Sequence, residues 1–195
     1  MSNQIGSNLD AYGFEKYEEN TFPVAYLITF RTYGTWLHGD DRGAMQRSRD
    51  PRFSTIRLEP NVPLKESMRD KMRHGPLILT PAQRRIIDAS FRETSGLRDY
   101  FLRAVNVRTN HAHGVISAKM NPDRVAIDLK ANATRWLREA GEIGNEIRVW
   151  ARGASTRYLW KPAHVEGAIE YVLYSQGNVP FEVVTETPDP EGYEG

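Results

Sequence analysis

Asn110-His111-Ala112-His113-Gly114-Val115-Ile116 carries more information than any other part of this chain. It follows a turn signal at Thr109-Asn110, runs on to Ala118, and has the composition of a strand. Side chains alternate across a strand with period two. His111 and His113 therefore point to one face, while Ala112, Gly114, Ile116 and Ala118 point to the other. The small and apolar second face suits close packing under helices. The two imidazoles, two residues apart on a rigid element, can share one metal ion.

The flanking segments supply the rest of a fold. Asp99–Arg108 reads as a strand and forms a hairpin with 111–118. Val24–Phe30 is an apolar, β-branched run, read as a buried strand that continues into Arg31-Thr-Tyr-Gly-Thr-Trp-Leu37. Thr80-Pro81 marks a helix start, with Thr as N-cap and Pro at the first helical position, and Gly96 marks its end. Pro122–Ala140 has Val125, Leu129, Ala133, Trp136 and Leu137 at helical spacing and closes at Gly141. Val149–Trp160 reads as a last strand region, broken at 152–155, and Pro162–Gln176 as a final helix ended by Gly177. The order β-α-β-β-α-β plus a helix predicts an α+β, ferredoxin-like antiparallel sheet with two helices on one face. The histidines then stand on the other face, under the final helix. Residues 1–22 read as a flexible arm, 23–180 as one domain, and 181–195 as a disordered acidic tail. The Arg-rich stretch 38–75, punctuated by Gly and Pro, reads as an inserted loop with a short helix near Lys65–Arg73.

Composition narrows the function. The 195 residues include no cysteine, which excludes disulfides, thiolate zinc sites and a cysteine nucleophile. No apolar run approaches the ~20 residues that cross a bilayer, and the N-terminus is polar and acidic, so a cytoplasmic protein without membrane contact is expected. The net charge of +1 conceals an uneven distribution: about −3 over residues 1–30, −5 over 181–195, and +9 over the Arg-rich centre. Arginine forks match phosphate geometry and stack on bases, so a basic middle fits a nucleic-acid binder.

In the final helix, Val165, Ile169, Val172 and Leu173 form an apolar stripe. Tyr171 lies roughly 140° from its centre at ~100° per residue, and Tyr174 further still, so both are available to a site. A phenol with a pKa near ~10 is a poor nucleophile without help. A divalent cation helps phosphoryl transfer by polarising and orienting the phosphate. Two neutral imidazoles plus one oxygen ligand leave coordination positions open for phosphate oxygens.

These residues resemble the single-tyrosine HUH transposases, of the insertion-sequence and REP-associated tyrosine transposase type. The resemblance rests on Thr29-Phe30-Arg31-Thr32, on Asn110-His111-Ala112-His113 as the His-hydrophobic-His motif, and on Tyr171-Val172-Leu173, and covers about residues 24–178. It implies a metal-dependent single-stranded DNA endonuclease and strand transferase that acts through a 5′-phosphotyrosine intermediate. It also implies Mg²⁺ or Mn²⁺ as cofactor, single-stranded or hairpin DNA as partner, and a homodimer. On that reading Tyr171 is the nucleophile and His111 and His113 are metal ligands. The family's third ligand lies one turn after the tyrosine. Here that position is Ser175; Gln176 is the better ligand but one position too far on an ideal helix, and His164 is a further candidate.

Arg31, Arg152, Arg157 and Trp160 are the candidate DNA contacts, although each single Trp, including Trp36 and Trp150, equally suits packing. His38 and His74 are expected to be solvated. The other function classes fit less well. RRM-type RNA binders share the element order but carry an aromatic-basic motif where this chain has histidines. Two-histidine phosphoesterases need His-x-Thr/Ser motifs, and His₂Glu zinc hydrolases need helical His spacing. A domesticated, non-catalytic DNA- or RNA-binding protein of the same fold is the alternative.

Overall fold

The computed structural model describes residues 23–37, 40, 44–47, 55–58 and 60–176. The arm 1–22, the tail 181–195, His38 and Gly177 lie outside the described residues. Ten elements follow in order: β1 (Ala25–Arg31), β2 (Ala44–Arg47), β3 (Thr55–Leu58), α1 (Val62–Asp70), α2 (Pro81–Leu97), β4 (Phe101–Val107), β5 (His111–Ser117), α3 (Pro122–Glu139), β6 (Ser155–Leu159) and α4 (Pro162–Tyr174). The main sheet has the order β4-β5-β1-β6, with every neighbouring pair antiparallel. This is the ferredoxin-like α+β arrangement expected from the sequence.

The alternation along β1 splits the molecule into two cores. Tyr26, Ile28 and Phe30 face one side with Val105, Val107, Ala112 and Ile116. There they meet Ile87 and Phe91 of α2 and Val125, Leu129, Ala133 and Leu137 of α3. Trp150 completes this layer: its ring stacks on Phe91 (centroids 6.2 Å, 29°) and its indole N–H donates to the Lys130 carbonyl (3.2 Å). Ala25, Ala104, Val115 and Leu159 form a smaller core on the opposite side, under Val165, Ala168 and Val172 of α4. The final helix thus covers the histidine-bearing face with a short apolar seam, and leaves the end of that face near His111 for polar residues.

Local chemistry sets the boundaries. Thr80 and Gln83 form a reciprocal capping box at the start of α2, with Pro81 in the first turn. The helix does not stop at Gly96 as expected. It continues to Leu97, and Asp99 takes the left-handed conformation (φ 56°) that turns the chain into β4. Gly141 (φ 70°) closes α3 as expected. The last strand region is two pieces, a single bridge from Trp150 to Thr32 and then β6, separated at Gly153 (φ 67°).

The described residues within 38–75 include regular elements as well as loop. These are the antiparallel β2–β3 hairpin, which the sequence reading lacked, and α1, which starts at Val62 rather than near Lys65. Asn61 moves that start, because its side-chain oxygen accepts the Leu64 N–H (3.0 Å).

Candidate active site

One row of residues crosses the sheet beneath α4: Asn106 on β4, His113 on β5, Thr29 on β1 and Ser155 on β6. His111 sits opposite Arg31 two residues along, on the same face. The imidazoles of His111 and His113 are edge to face with centroids 4.7 Å apart. Tyr171 descends from α4 and stands edge-on to His113, with ring centroids 5.6 Å apart and an interplanar angle of 72°. It is 43% exposed, so the side chain meets solvent while its ring stands against His113.

Both imidazoles are held by their inner nitrogens. His111 Nδ1 donates to the Asn110 side-chain oxygen (2.6 Å), which can only accept. The neutral ring then presents a lone pair at Nε2. His113 Nδ1 meets the Thr29 hydroxyl at 2.9 Å, and with that hydroxyl accepting, its Nε2 likewise carries a lone pair. Burial, followed by the neighbouring His111, pushes the His113 pKa down to about 4. Burial lowers His111 as well, and Gln176 partly offsets the shift at both rings. Both rings are therefore neutral at pH 7, the state in which imidazole binds a metal.

Gln176 is the third member of the group. Its amide nitrogen donates to the Tyr171 carbonyl (3.4 Å), which turns its oxygen to within 3.5 Å of His111 Nε2. A ring with its proton on Nε2 donates to this oxygen, and a ring with its proton on Nδ1 turns a lone pair toward it, which a cation would bridge. Gln176 reaches the histidines because α4 ends at Tyr174, and Ser175 (φ −100°, ψ 14°) leaves the helical path. The spacing that is wrong for an ideal helix is right for a helix end. Ser175 serves instead as the C-cap, its N–H bonded to the Tyr171 carbonyl (3.1 Å). Among the described residues no three His, Cys, Asp or Glu side chains converge, so a cation here would rely on two imidazoles and a neutral amide. Such a set fits a divalent ion that keeps several positions for substrate oxygens.

Two cavities meet at this group. One, of about 360 Å³, is lined by His111, His113, Tyr171 and Gln176, with Arg31 and Trp36 at its rim. The Arg31 guanidinium lies 3.6 Å over the Trp36 ring. The other, of about 550 Å³, shares Thr29, His113 and Tyr171 and extends to Arg157 and His164. The structure therefore brings together Tyr171, His111, His113, Gln176, Arg31 and Arg157. It does not bring Arg152 or Trp160 to them. Arg152 is exposed in the turn before β6 and lines neither cavity. Trp160 stacks on Tyr158, which meets Tyr26 edge-on, on the sheet face opposite the histidines. His74 is docked rather than simply solvated: it packs on Tyr33 (centroids 4.5 Å) and accepts the Arg148 N–H (3.0 Å).

Several contributors had no role in the sequence reading. Thr32 and Thr35 donate both hydroxyls and one backbone N–H to the Asn110 carbonyl, fixing the residue that fixes His111. Buried Asn106 donates its amide to the Val172 carbonyl (2.8 Å), in the last turn of the tyrosine helix. Both Asn and Thr are turn formers in sequence, and only strand register places them here.

No family model matches the chain, and no curated protein is similar to it. Among solved structures it is similar to a REP-associated tyrosine transposase bound to a REP hairpin. The TM-score is 0.45 at 10% identity, over 83% of this chain and 72% of that one. It is also similar to a candidate transposase from Deinococcus radiodurans R1, at TM-score 0.45 and 10% identity, over 85% and 100%. Likeness at this level carries no chemistry, which rests on the side chains alone. No helix among the described residues is long and apolar enough to cross a membrane.

Proposed function

We propose that this chain is a metal-dependent, single-stranded DNA endonuclease and strand transferase of the single-tyrosine HUH transposase type. The observation that carries the proposal is Tyr171 edge-on to a pair of neutral imidazoles, with the Gln176 oxygen turned toward them. A divalent cation, Mg²⁺ or Mn²⁺, held by His111, His113 and Gln176 would polarise the scissile phosphate and neutralise charge developing on it.

The chain's own residues do the rest. Tyr171 Oη attacks phosphorus, and its proton passes to the solvent that reaches this partly exposed side chain. The bond from phosphorus to the 3′ oxygen breaks, and that oxygen takes a proton and leaves as a 3′-hydroxyl. The 5′-phosphate stays on Tyr171 as a phosphodiester, so attack by another 3′-hydroxyl reverses the step and joins strands. Arg31, its guanidinium over the Trp36 ring, would contact the DNA backbone. Tyr171 stands beside His113 of its own chain, which supports a tyrosine acting in cis.

The test is incubation with labelled single-stranded hairpin DNA and Mn²⁺. Wild type and Tyr174→Phe form a covalent adduct stable to denaturation, and Tyr171→Phe forms none. An adduct surviving in Tyr171→Phe moves the nucleophile elsewhere. DNA binding without any adduct establishes the binding-only alternative.

A further inference from the structure

Beyond Thr29, His113 and Tyr171, the residues of the 550 Å³ cavity have no part in the chemistry above. The cavity lies between β1, β6 and the first two turns of α4. Its floor is Leu27 and Thr29, its polar walls are Arg157 and His164, and Gly167 stands one turn before Tyr171 on the same helix face. Gly167 lines the cavity, and a Cβ added there meets nothing within 4 Å, so a larger side chain has room to enter the slot.

We infer that this cavity is a subsite for one unpaired nucleotide, the one immediately 3′ of the scissile phosphate, which stays attached to the tyrosine after cleavage. The inference rests on the proposed cleavage chemistry and adds to it the seat of a substrate group. In an in-line displacement the leaving oxygen departs opposite the attacking one. The leaving 3′ end thus moves away from Tyr171, whereas the retained nucleotide stays within a few bonds of Oη. The cavity walled by the tyrosine's own helix is where that nucleotide fits. Its volume suits a group of this size. Leu27 offers an apolar surface to the base, and Arg157 offers a cation to the next phosphate.

The test uses Gly167→Leu in the full chain. Leucine favours the helix more than glycine does, so loss of fold does not explain a slower enzyme, and thermal melting verifies this. Two substrates are compared in single-turnover adduct formation with Mn²⁺: normal DNA, and DNA with an abasic sugar immediately 3′ of the cleaved phosphate. Gly167→Leu is expected to slow the reaction on normal DNA by about tenfold or more. On abasic DNA, wild type and variant converge, because the base that the leucine displaces is gone. Equal rates on normal DNA, or an equal slowing on both substrates, overturns the subsite. If wild type forms no adduct at all, it is the cleavage reading that fails. The subsite is then decided by binding of single strands carrying 2-aminopurine: quenching by wild type but not by Gly167→Leu sustains a nucleotide pocket, and equal quenching overturns it.

Discussion

Asn106, directly across the ladder from His113, gives its side-chain amide to the main-chain carbonyl of Val172, one residue after Tyr171. Carbonyls in the last turn of a helix lack intrahelical partners. One buried hydrogen bond therefore satisfies that carbonyl and fixes the helix that carries the tyrosine over the strand that carries the histidines. Asn106→Leu keeps the volume and removes the donor. It leaves a buried acceptor unpaired, at a stability loss of about 1–3 kcal/mol. Single-turnover cleavage is expected to fall by about tenfold or more while DNA affinity changes little. Parallel losses of binding and rate would show that Asn106 merely supports the fold.

The Asn110 and Thr29 side chains hold the imidazoles through their Nδ1 atoms, so in the proposed metal site they would set affinity without touching the metal. Asn110→Ala and Thr29→Val are each expected to weaken Mn²⁺ binding by about 10–100-fold. Calorimetry or electron paramagnetic resonance of free Mn²⁺ measures this directly. Unchanged affinity in both variants would mean that the rings orient themselves.

Acid should destabilise the metal-free protein through His113. Its folded pKa of about 4 lies below the ordinary value of 6.5, so the unfolded chain binds the proton more readily. Stability from this group is complete above pH 6.5 and is lost progressively as pH falls toward 4. Between pH 7 and 5 the loss is about 2 kcal/mol by linkage. His113→Asn should flatten that dependence in urea titrations. An equally steep dependence in the variant would assign it to other groups.

Arg31 and Arg157 flank the two cavities, and each is proposed to meet a phosphate. Arg31→Ala and Arg157→Ala should each weaken single-strand binding and lower the slope of log K against log salt by about 0.7. Trp160→Ala, on the other sheet face, should leave adduct formation unchanged. A loss of cleavage in Trp160→Ala would mean that DNA wraps round the β6 edge.

Much of this was legible because it is periodic. The period-two pattern of 111–117 placed both histidines on one face, and the helical stripe of Val165, Ile169 and Val172 left Tyr171 spare. What was not legible depends on non-local register or on where an element stops. Gln176 is out of phase with Tyr171 on an ideal helix, and it reaches His111 only because α4 ends two residues earlier. Asn106 gains its role from the pairing of β4 with β5 and the crossing of α4, neither of which leaves a local signal. The β2–β3 hairpin uses short, Arg-bearing strands without the apolar alternation that announces a strand. Gly96 stays helical because α2 is held by its packing against the sheet and α3, which outweighs a local preference of about 1 kcal/mol.

The most direct measurement is mass spectrometry of the digested protein–DNA adduct formed with Mn²⁺. The account predicts a nucleotide joined through its 5′-phosphate to Tyr171. Attachment at Tyr174 or any other residue, or attachment through a 3′-phosphate, would contradict it.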